Sequence, residues 1–184
     1  MPKYVAFLRA INVGGHTVKM DSLRLLFEEL GFSNVETFIA SGNVIFDARS
    51  KLTEALEQKI EKHLHQRLGY EVATFIRSLS DLAIIARHEP FAAASMQAPG
   101  HSVYVALLAG RPSDEAKRKL LSFTTEVDDF HVQAREVYWL CRKPMSESKF
   151  SGALLEKTLG MPATLRNATT VKRLADKYVK QPQT

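Results

Sequence analysis

Hydrogen-bond donors and cations follow the first predicted strand, at the end of the apolar run Tyr4–Leu8. They are Arg9, Asn12, Gly14, Gly15 and Lys19. A guanidinium can hold a phosphate or carboxylate through two parallel hydrogen bonds, and the N–H groups of a glycine turn can form an anion-binding nest. The same residues also suit a tight turn, with Arg9 in an internal salt bridge to Asp47 or Glu36. The sequence leaves both interpretations open.

A second set of such residues stands where the last helix of the chain is predicted to begin. It comprises Arg166, Asn167 and Thr170, with Thr169 and Lys172 beside them. Exposed N–H groups at a helix N-terminus together with nearby cations suit a phosphate. Capping of the helix by Asn167 or a threonine, with solvated charges around it, explains the same pattern.

A third set surrounds Gly42 in a predicted hairpin turn, where Ser41 and Asn43 supply polar side chains. Glycine and asparagine are ordinary hairpin residues because both tolerate left-handed backbone. If the first and third strands are antiparallel neighbours, this turn lies beside Arg9 and the glycine pair. Ser41 and Asn43 are candidates for the ligand site only if Arg9 and the glycine pair lie beside this turn.

Catalytic and metal-binding signatures are missing from the sequence. The six histidines lack ligand spacing, and neither H-E-x-x-H nor C-x-x-C occurs. A lone strand cysteine such as Cys141 is more typical of a core than of an active site. The sequence therefore names no catalytic residue, predicts no metal and no cofactor, and leaves open whether the protein is an enzyme.

Charge and aromatic residues raise the alternative of nucleic-acid binding. The net charge is +5 and the sequence pI about 9.3, which favours anionic partners. Tyr138 and Trp139 stand among Arg135, Arg142 and Lys143, as aromatic residues do in strands on which bases stack. Core packing is the other explanation of the two aromatic rings, and we favour it.

The elements that must position these residues occur twice in the same order. Residues 1–77 predict β-α-β-β-α-β, the α-β plait of ferredoxin-like folds, and residues 101–184 predict a second plait with a terminal helix. Residues 78–100 predict a helical linker that begins with a capping box at Ser78 and Asp81. The fold class predicted is therefore α+β with two plait domains.

The same sequence predicts a cytoplasmic protein with no membrane partner. It contains no run of 18 apolar residues, and its N-terminus lacks the layout of a signal peptide. A single cysteine cannot form an internal disulfide, which is typical of a reducing compartment.

Several motifs resemble one known family. They are Y-V-A-F-L-R-A-I-N-V-G-G from Tyr4, K-M-D-S-L, F-E-E-L-G-F, S-G-N-V-I-F and T-L-R-N-A-T-T-V-K-R-L from Thr164. The chain is similar in these motifs to an uncharacterised bacterial family, domain of unknown function 1697. That resemblance implies two plait-like domains and no established activity, substrate or cofactor. Ala10 and Ala168 depart from the family, which usually has glycine and an aromatic residue there.

Taken together, these patterns predict a protein that binds a small phosphate-bearing ligand near the junction of its domains. Arg9, Asn12, Lys19 and Asn43 would form one wall, and the set Arg166, Asn167 and Thr170 would form the other. A sequence-tolerant nucleic-acid-binding module and an enzyme acting on a phosphorylated metabolite are the two alternatives.

Overall fold

The structure, a computed structural model, describes residues 1–12, 14–39 and 42–179. These residues form two compact units. Of the described residues, the first unit comprises those of Met1–Ala83 and residues 178–179, and the second comprises Ile84–Lys177.

The first unit contains a four-stranded antiparallel sheet in the order β2-β3-β1-β4. Its elements are β1 (Lys3–Leu8), α1 (Met20–Glu29), β2 (Ser33–Thr37), β3 (Asn43–Asp47), α2 (Thr53–Leu68) and β4 (Thr74–Ser78). β1 is central and buried on both faces, as its unbroken apolar run predicts. α1 buries Leu23, Leu26 and Phe27, which share one face of the helix.

Two helices follow β4, where the sequence predicts a linker. They are α3 (Leu79–Arg87) and the short α4 (Ala93–Gln97). The predicted capping box is confirmed: the Asp81 backbone N–H donates to Ser78 Oγ, and Asp81 Oδ2 accepts from the Ser78 backbone N–H. The boundary between the two units falls within α3.

The second unit repeats the element order and the sheet order of the first, as β6-β7-β5-β8. Its elements are β5 (Ser102–Leu108), α5 (Asp114–Leu121), β6 (Asp128–Gln133), β7 (Glu136–Cys141), α6 (Gly152–Leu159), β8 (Ala163–Asn167) and α7 (Ala168–Tyr178). Trp139 is 1% exposed in its core, and its indole N–H donates to Asp128 over 2.7 Å. Tyr138 is 2% exposed, so packing accounts for both rings.

Two buried arginines show that the repetition extends to single residues. Arg77 lies opposite Val5 in the first sheet, and Arg166 lies opposite Val105 in the second. Each guanidinium donates to the carbonyl of the preceding residue, over 2.9 Å for Arg77 and 3.0 Å for Arg166. The sequence predicts only the repeated order of elements, because the motifs around these arginines differ.

The edge strands β4 and β8 share one further feature, a helix carboxylate that accepts from the first N–H of the strand. The Thr74 N–H donates to Glu61 of α2 over 2.8 Å, and the Ala163 N–H donates to Glu156 of α6 over the same distance. Unpaired N–H groups on an edge strand would otherwise be open to another chain. Helix carboxylates therefore cover the same position on both edges.

The described residues confirm a mixed α+β fold with two four-stranded antiparallel sheets. α1 has Lys19 at its N-cap, and α7 begins at Ala168 because β8 passes directly into it. Within the same residues, no helix has both the length and the hydropathy needed to cross a membrane.

Candidate functional site

A cavity of about 260 Å³ lies within the second unit. Its walls come from the end of α3 and the segment after it, α4, the start of β5, Tyr138 of β7 and the junction of β8 with α7. The polar residues that matter for its chemistry are His88, Glu89, His101, Asn167, Thr169 and Lys172. Ile85, Met96 and Val103 contribute apolar lining.

The junction of β8 with α7 forms one side of this cavity. Asn167 ends the strand, and its side-chain Oδ1 accepts from the Thr169 backbone N–H over 2.9 Å. The N-terminus of α7 therefore presents N–H groups at the cavity wall, with the positive end of the helix dipole. One turn later Lys172 adds a full positive charge.

An ion pair joins two residues of the cavity lining. Lys172 Nζ lies 2.8 Å from Glu89 Oε1, and the two side chains are 48% and 53% exposed. The hydrogen bond from Lys172 and its charge lower the pKa of the Glu89 carboxyl. Lys172 thus already holds one anionic oxygen in this part of the protein.

His88 supplies further polar lining, and its ring lies next to that of His131, which is not among the described residues that line the cavity. The rings of His88 and His131 have centroids 5.0 Å apart, and the His88 ring lies 4.9 Å from that of Tyr138. Burial, and next the neighbouring His88, lower the pKa of His131. Burial, and next the charge of Glu136, raise the pKa of the Tyr138 hydroxyl, which donates to the Ile85 carbonyl over 3.0 Å.

A third imidazole, that of His101, is held by the backbone. Its Nδ1 lies 2.7 Å from the Ser95 carbonyl oxygen. In the part of the chain that the structure describes, no three histidine, cysteine, aspartate or glutamate side chains are arranged to hold a metal ion.

Of the residues predicted near the last helix, Asn167 lines the cavity. Arg166 is 7% exposed and donates to Thr164 Oγ1 over 2.8 Å. Burial lowers the pKa of Arg166 to about 10, which leaves it charged at neutral pH. Arg166 and the half-buried Thr170 are not among the described residues that line the cavity.

The predicted N-terminal residues belong to the first unit. Arg9 is exposed directly after β1, and its backbone N–H donates to the Ala73 carbonyl over 2.9 Å. The Leu8 N–H donates to the Gly42 carbonyl over 2.8 Å, so the end of β1 lies against the hairpin turn. Asp47 contacts Lys3 over 2.8 Å, and the register pairs it with that residue at the start of β1 rather than with the end near Arg9.

The other N-terminal residues have local contacts or open surroundings. Asn12 accepts from the Val18 N–H over 2.7 Å, and Gly14, Gly15 and Lys19 are exposed, both glycines with positive φ. Asn43 is fully buried, and its amide donates to the Phe38 carbonyl over 2.9 Å. Ser41 lies outside the described residues.

Sequence reasoning did not find His88, Glu89 and His101. All three lie in or next to residues 78–100, which the sequence predicts as a linker. Only the three-dimensional structure identifies them, because they line the same cavity as Lys172, which lies more than 70 positions further along the chain.

Comparison with known proteins gives a family and a fold. A family model described as "Protein of unknown function (DUF1697)" matches residues 1–138. A solved structure of a conserved bacterial protein from Streptococcus pneumoniae is similar, with a TM-score of 0.73 and 23% sequence identity. That match covers 95% of this chain and 97% of the other, and at such identity it shows the fold alone. No curated protein matches.

Proposed function

The chain belongs to the DUF1697 family of proteins of unknown function, and we propose that it binds a small phosphate-bearing ligand in the cavity of its second unit. The contact between Lys172 and the Glu89 carboxylate carries this proposal. It gives Lys172 an anionic partner at hydrogen-bond distance, one turn into α7. We also infer that each unit is a ferredoxin-like plait, from its element and strand order.

Electrostatics favours a phosphate over the carboxylate that Lys172 now holds. A phosphate monoester carries a charge of about −1.5 to −2 at neutral pH, against −1 for a carboxylate. It also has three acceptor oxygens, which the N–H groups at the start of α7 and the Asn167 amide could satisfy together with Lys172. We therefore infer that a phosphate displaces Glu89 from Lys172.

The exposed residues Arg9, Asn12, Gly14, Gly15 and Lys19 stay a separate prediction of an anion site in the first unit. Asn43 has an indirect role in this site: its buried side-chain amide donates to the Phe38 carbonyl and so holds the hairpin turn in place. Arg166 supports the cavity from within the sheet, since it precedes Asn167 on β8. Thr170 belongs to the first turn of α7.

Titration calorimetry of inorganic phosphate and n-propyl phosphate tests the cavity. We expect Lys172→Gln to weaken binding about tenfold, the usual effect of one hydrogen bond from a charged group. Glu89→Gln should tighten binding about two- to threefold, because it frees Lys172 from a surface ion pair.

Lys157→Gln is the matched control, since Lys157 is an exposed lysine of the same unit on α6. It removes the same charge without touching the cavity lining and should leave the affinity within about twofold of wild type. Absence of binding to the wild type, or equal weakening by both lysine substitutions, would overturn the proposed function.

A further inference from the structure

The hydrogen bond from His101 to Ser95 fixes which nitrogen of the His101 ring carries the proton. A carbonyl oxygen can only accept, so Nδ1 must be the donor over the 2.7 Å that separates the two atoms. In a neutral imidazole the other nitrogen, Nε2, then has a lone pair and acts as an acceptor. The backbone therefore sets the hydrogen-bonding character of the His101 ring.

The Nε2 of His101 is the atom of the ring left for a ligand. His101 lines the cavity and is half-buried. Within the described residues, Nε2 makes no hydrogen bond and is not among the fully buried polar atoms, unlike Nε2 of His88 and of His131. His101 is thus a residue of the cavity lining whose ring has an oriented acceptor that is not fully buried.

The cavity then combines two kinds of polar group. Lys172 and the N–H groups at the start of α7 are donors and suit a phosphate, whereas His101 Nε2 is an acceptor and suits a hydroxyl or amino group. About 10–15 Å³ of cavity space is enough for one water molecule, so the cavity of about 260 Å³ has room for more than a phosphate alone.

We propose that His101 selects, among phosphate-bearing ligands, those that carry a hydroxyl or amino donor close to the phosphate. This inference rests on the proposed function, because it requires the phosphate to bind at Lys172. A site built around an oriented acceptor discriminates against an analogue that lacks the donor, since the acceptor is then left without a partner. His101 is thus a specificity residue of the cavity.

Calorimetry with three probes tests the inference: glycerol 3-phosphate, n-propyl phosphate and inorganic phosphate. We expect wild type at about pH 8, where imidazoles are generally neutral, to bind glycerol 3-phosphate more tightly than n-propyl phosphate. The preference should be about three- to tenfold, the usual effect of one hydrogen bond. His101→Phe should abolish this preference and leave the affinity for inorganic phosphate within about twofold. His65→Phe, on the exposed face of α2, is the matched control and should retain the preference.

The outcomes separate the two proposals. If no probe binds, the proposed function fails. If inorganic phosphate binds but the two esters bind equally well to wild type, the role of His101 fails while the phosphate site stands. A His101→Phe protein that loses inorganic phosphate as well would show that His101 binds the phosphate itself, which contradicts a donor-selecting role.

A measurement on the wild type keeps the inference testable if His101→Phe does not fold. Heteronuclear NMR of the imidazole nitrogens should show the Nδ1–H tautomer for His101. Addition of glycerol 3-phosphate should shift the Nε2 resonance, and addition of n-propyl phosphate should leave it nearly unchanged. An Nε2–H tautomer, or equal shifts with both esters, would overturn the inference.

Discussion

His88 and His131 are two neighbouring, half-buried imidazoles of the second unit. The Nε2 atoms of both rings are buried and have no hydrogen-bond partner among the described residues. On the strands β6 and β7, the sheet face that carries His131 also carries Asp129, Tyr138 and Glu136. Glu89 and Arg87 flank His88 in sequence. A positive charge on His131 would be poorly solvated in such surroundings, which is why burial, and next the neighbouring His88, hold the pKa of His131 low.

Acid is therefore expected to destabilise the second unit through His131. Its pKa is lower in the folded than in the unfolded chain, so the unfolded chain binds more protons as pH falls through about 6.5. The unfolding free energy should decrease from that pH downward until the folded-state pKa is passed. His131→Gln should reduce the loss between about pH 7 and pH 5. Fluorescence of Trp139, the single tryptophan of the chain, measures it.

The control for His131→Gln is the substitution of a histidine that is exposed to solvent. His65 is exposed on α2, and His65→Gln should lose stability with acid as wild type does. Other groups also destabilise the protein in acid. Burial raises the pKa of Asp47, but hydrogen bonds from Asn34 and Lys3 outweigh burial and hold it below its usual value. Identical pH profiles for His131→Gln and wild type would contradict the role given to His131.

Individual cavity residues could be predicted only where the neighbouring residues in the sequence indicate their role. Asn167 has a helix-capping sequence around it, and the structure shows its Oδ1 bonded to the Thr169 N–H. His101 has no such signal, because its partner is a backbone carbonyl in a segment without regular spacing. Lys172 is an ordinary solvated cation in sequence and becomes distinctive only beside Glu89.

Edge strands β4 and β8 depend on carboxylates from neighbouring helices. Glu156 of α6 accepts from the first N–H of β8, as Glu61 of α2 does for β4. These contacts join a helix to a strand on the side of the sheet that has no further strand. They therefore stabilise the position of the strand from which α7 begins.

Removal of this acceptor should destabilise the second unit. Glu156→Met keeps the length of the side chain and leaves the Ala163 N–H without its carboxylate, so we expect a loss of about 1–2 kcal/mol in unfolding free energy. Denaturant unfolding followed by Trp139 fluorescence measures it. Lys157→Met, at the next and exposed position of α6, should cost less than about 0.5 kcal/mol. Equal losses in the two variants would show that the carboxylate contact contributes nothing.

The elements themselves were largely predictable, because apolar periodicity is local. The β-α-β-β-α-β order, the capping box at the start of α3 and the hairpin before β3 are all present as predicted. The sequence leaves the start of α7 open between Asn167 and a threonine as the cap, because Asn167 both ends a strand and caps a helix and no loop residues mark the change. The linker predicted at 78–100 contains α3 and α4, whose residues supply part of the cavity wall.

The chain as a whole is basic, with a net charge of +5, so a phosphate-binding cavity must be distinguished from general attraction to polyanions. Attachment to a DNA backbone through six to ten phosphates weakens by about 10³- to 10⁵-fold between about 50 and 200 mM salt. A single ligand held by one lysine and backbone N–H groups releases few counterions. We expect the affinity for glycerol 3-phosphate to fall less than about tenfold over this range.

Calorimetry at several salt concentrations, with a DNA duplex as the comparison ligand, checks this expectation. Saturation at one glycerol 3-phosphate per chain with a shallow salt dependence supports the cavity. Tight, steeply salt-dependent binding of the duplex that is unaffected by Lys172→Gln would favour the nucleic-acid-binding alternative instead.

The direct passage of β8 into α7 has a consequence for how this protein can change. No residue separates Asn167, the end of β8, from Ala168, the start of α7. The orientation of the strand therefore determines which side chains of the helix face the cavity. One inserted residue would turn the helix by about 100° and carry Lys172 away from Glu89. Substitutions on this side of the cavity are therefore compatible with its structure, whereas an insertion or deletion at the junction would disrupt it.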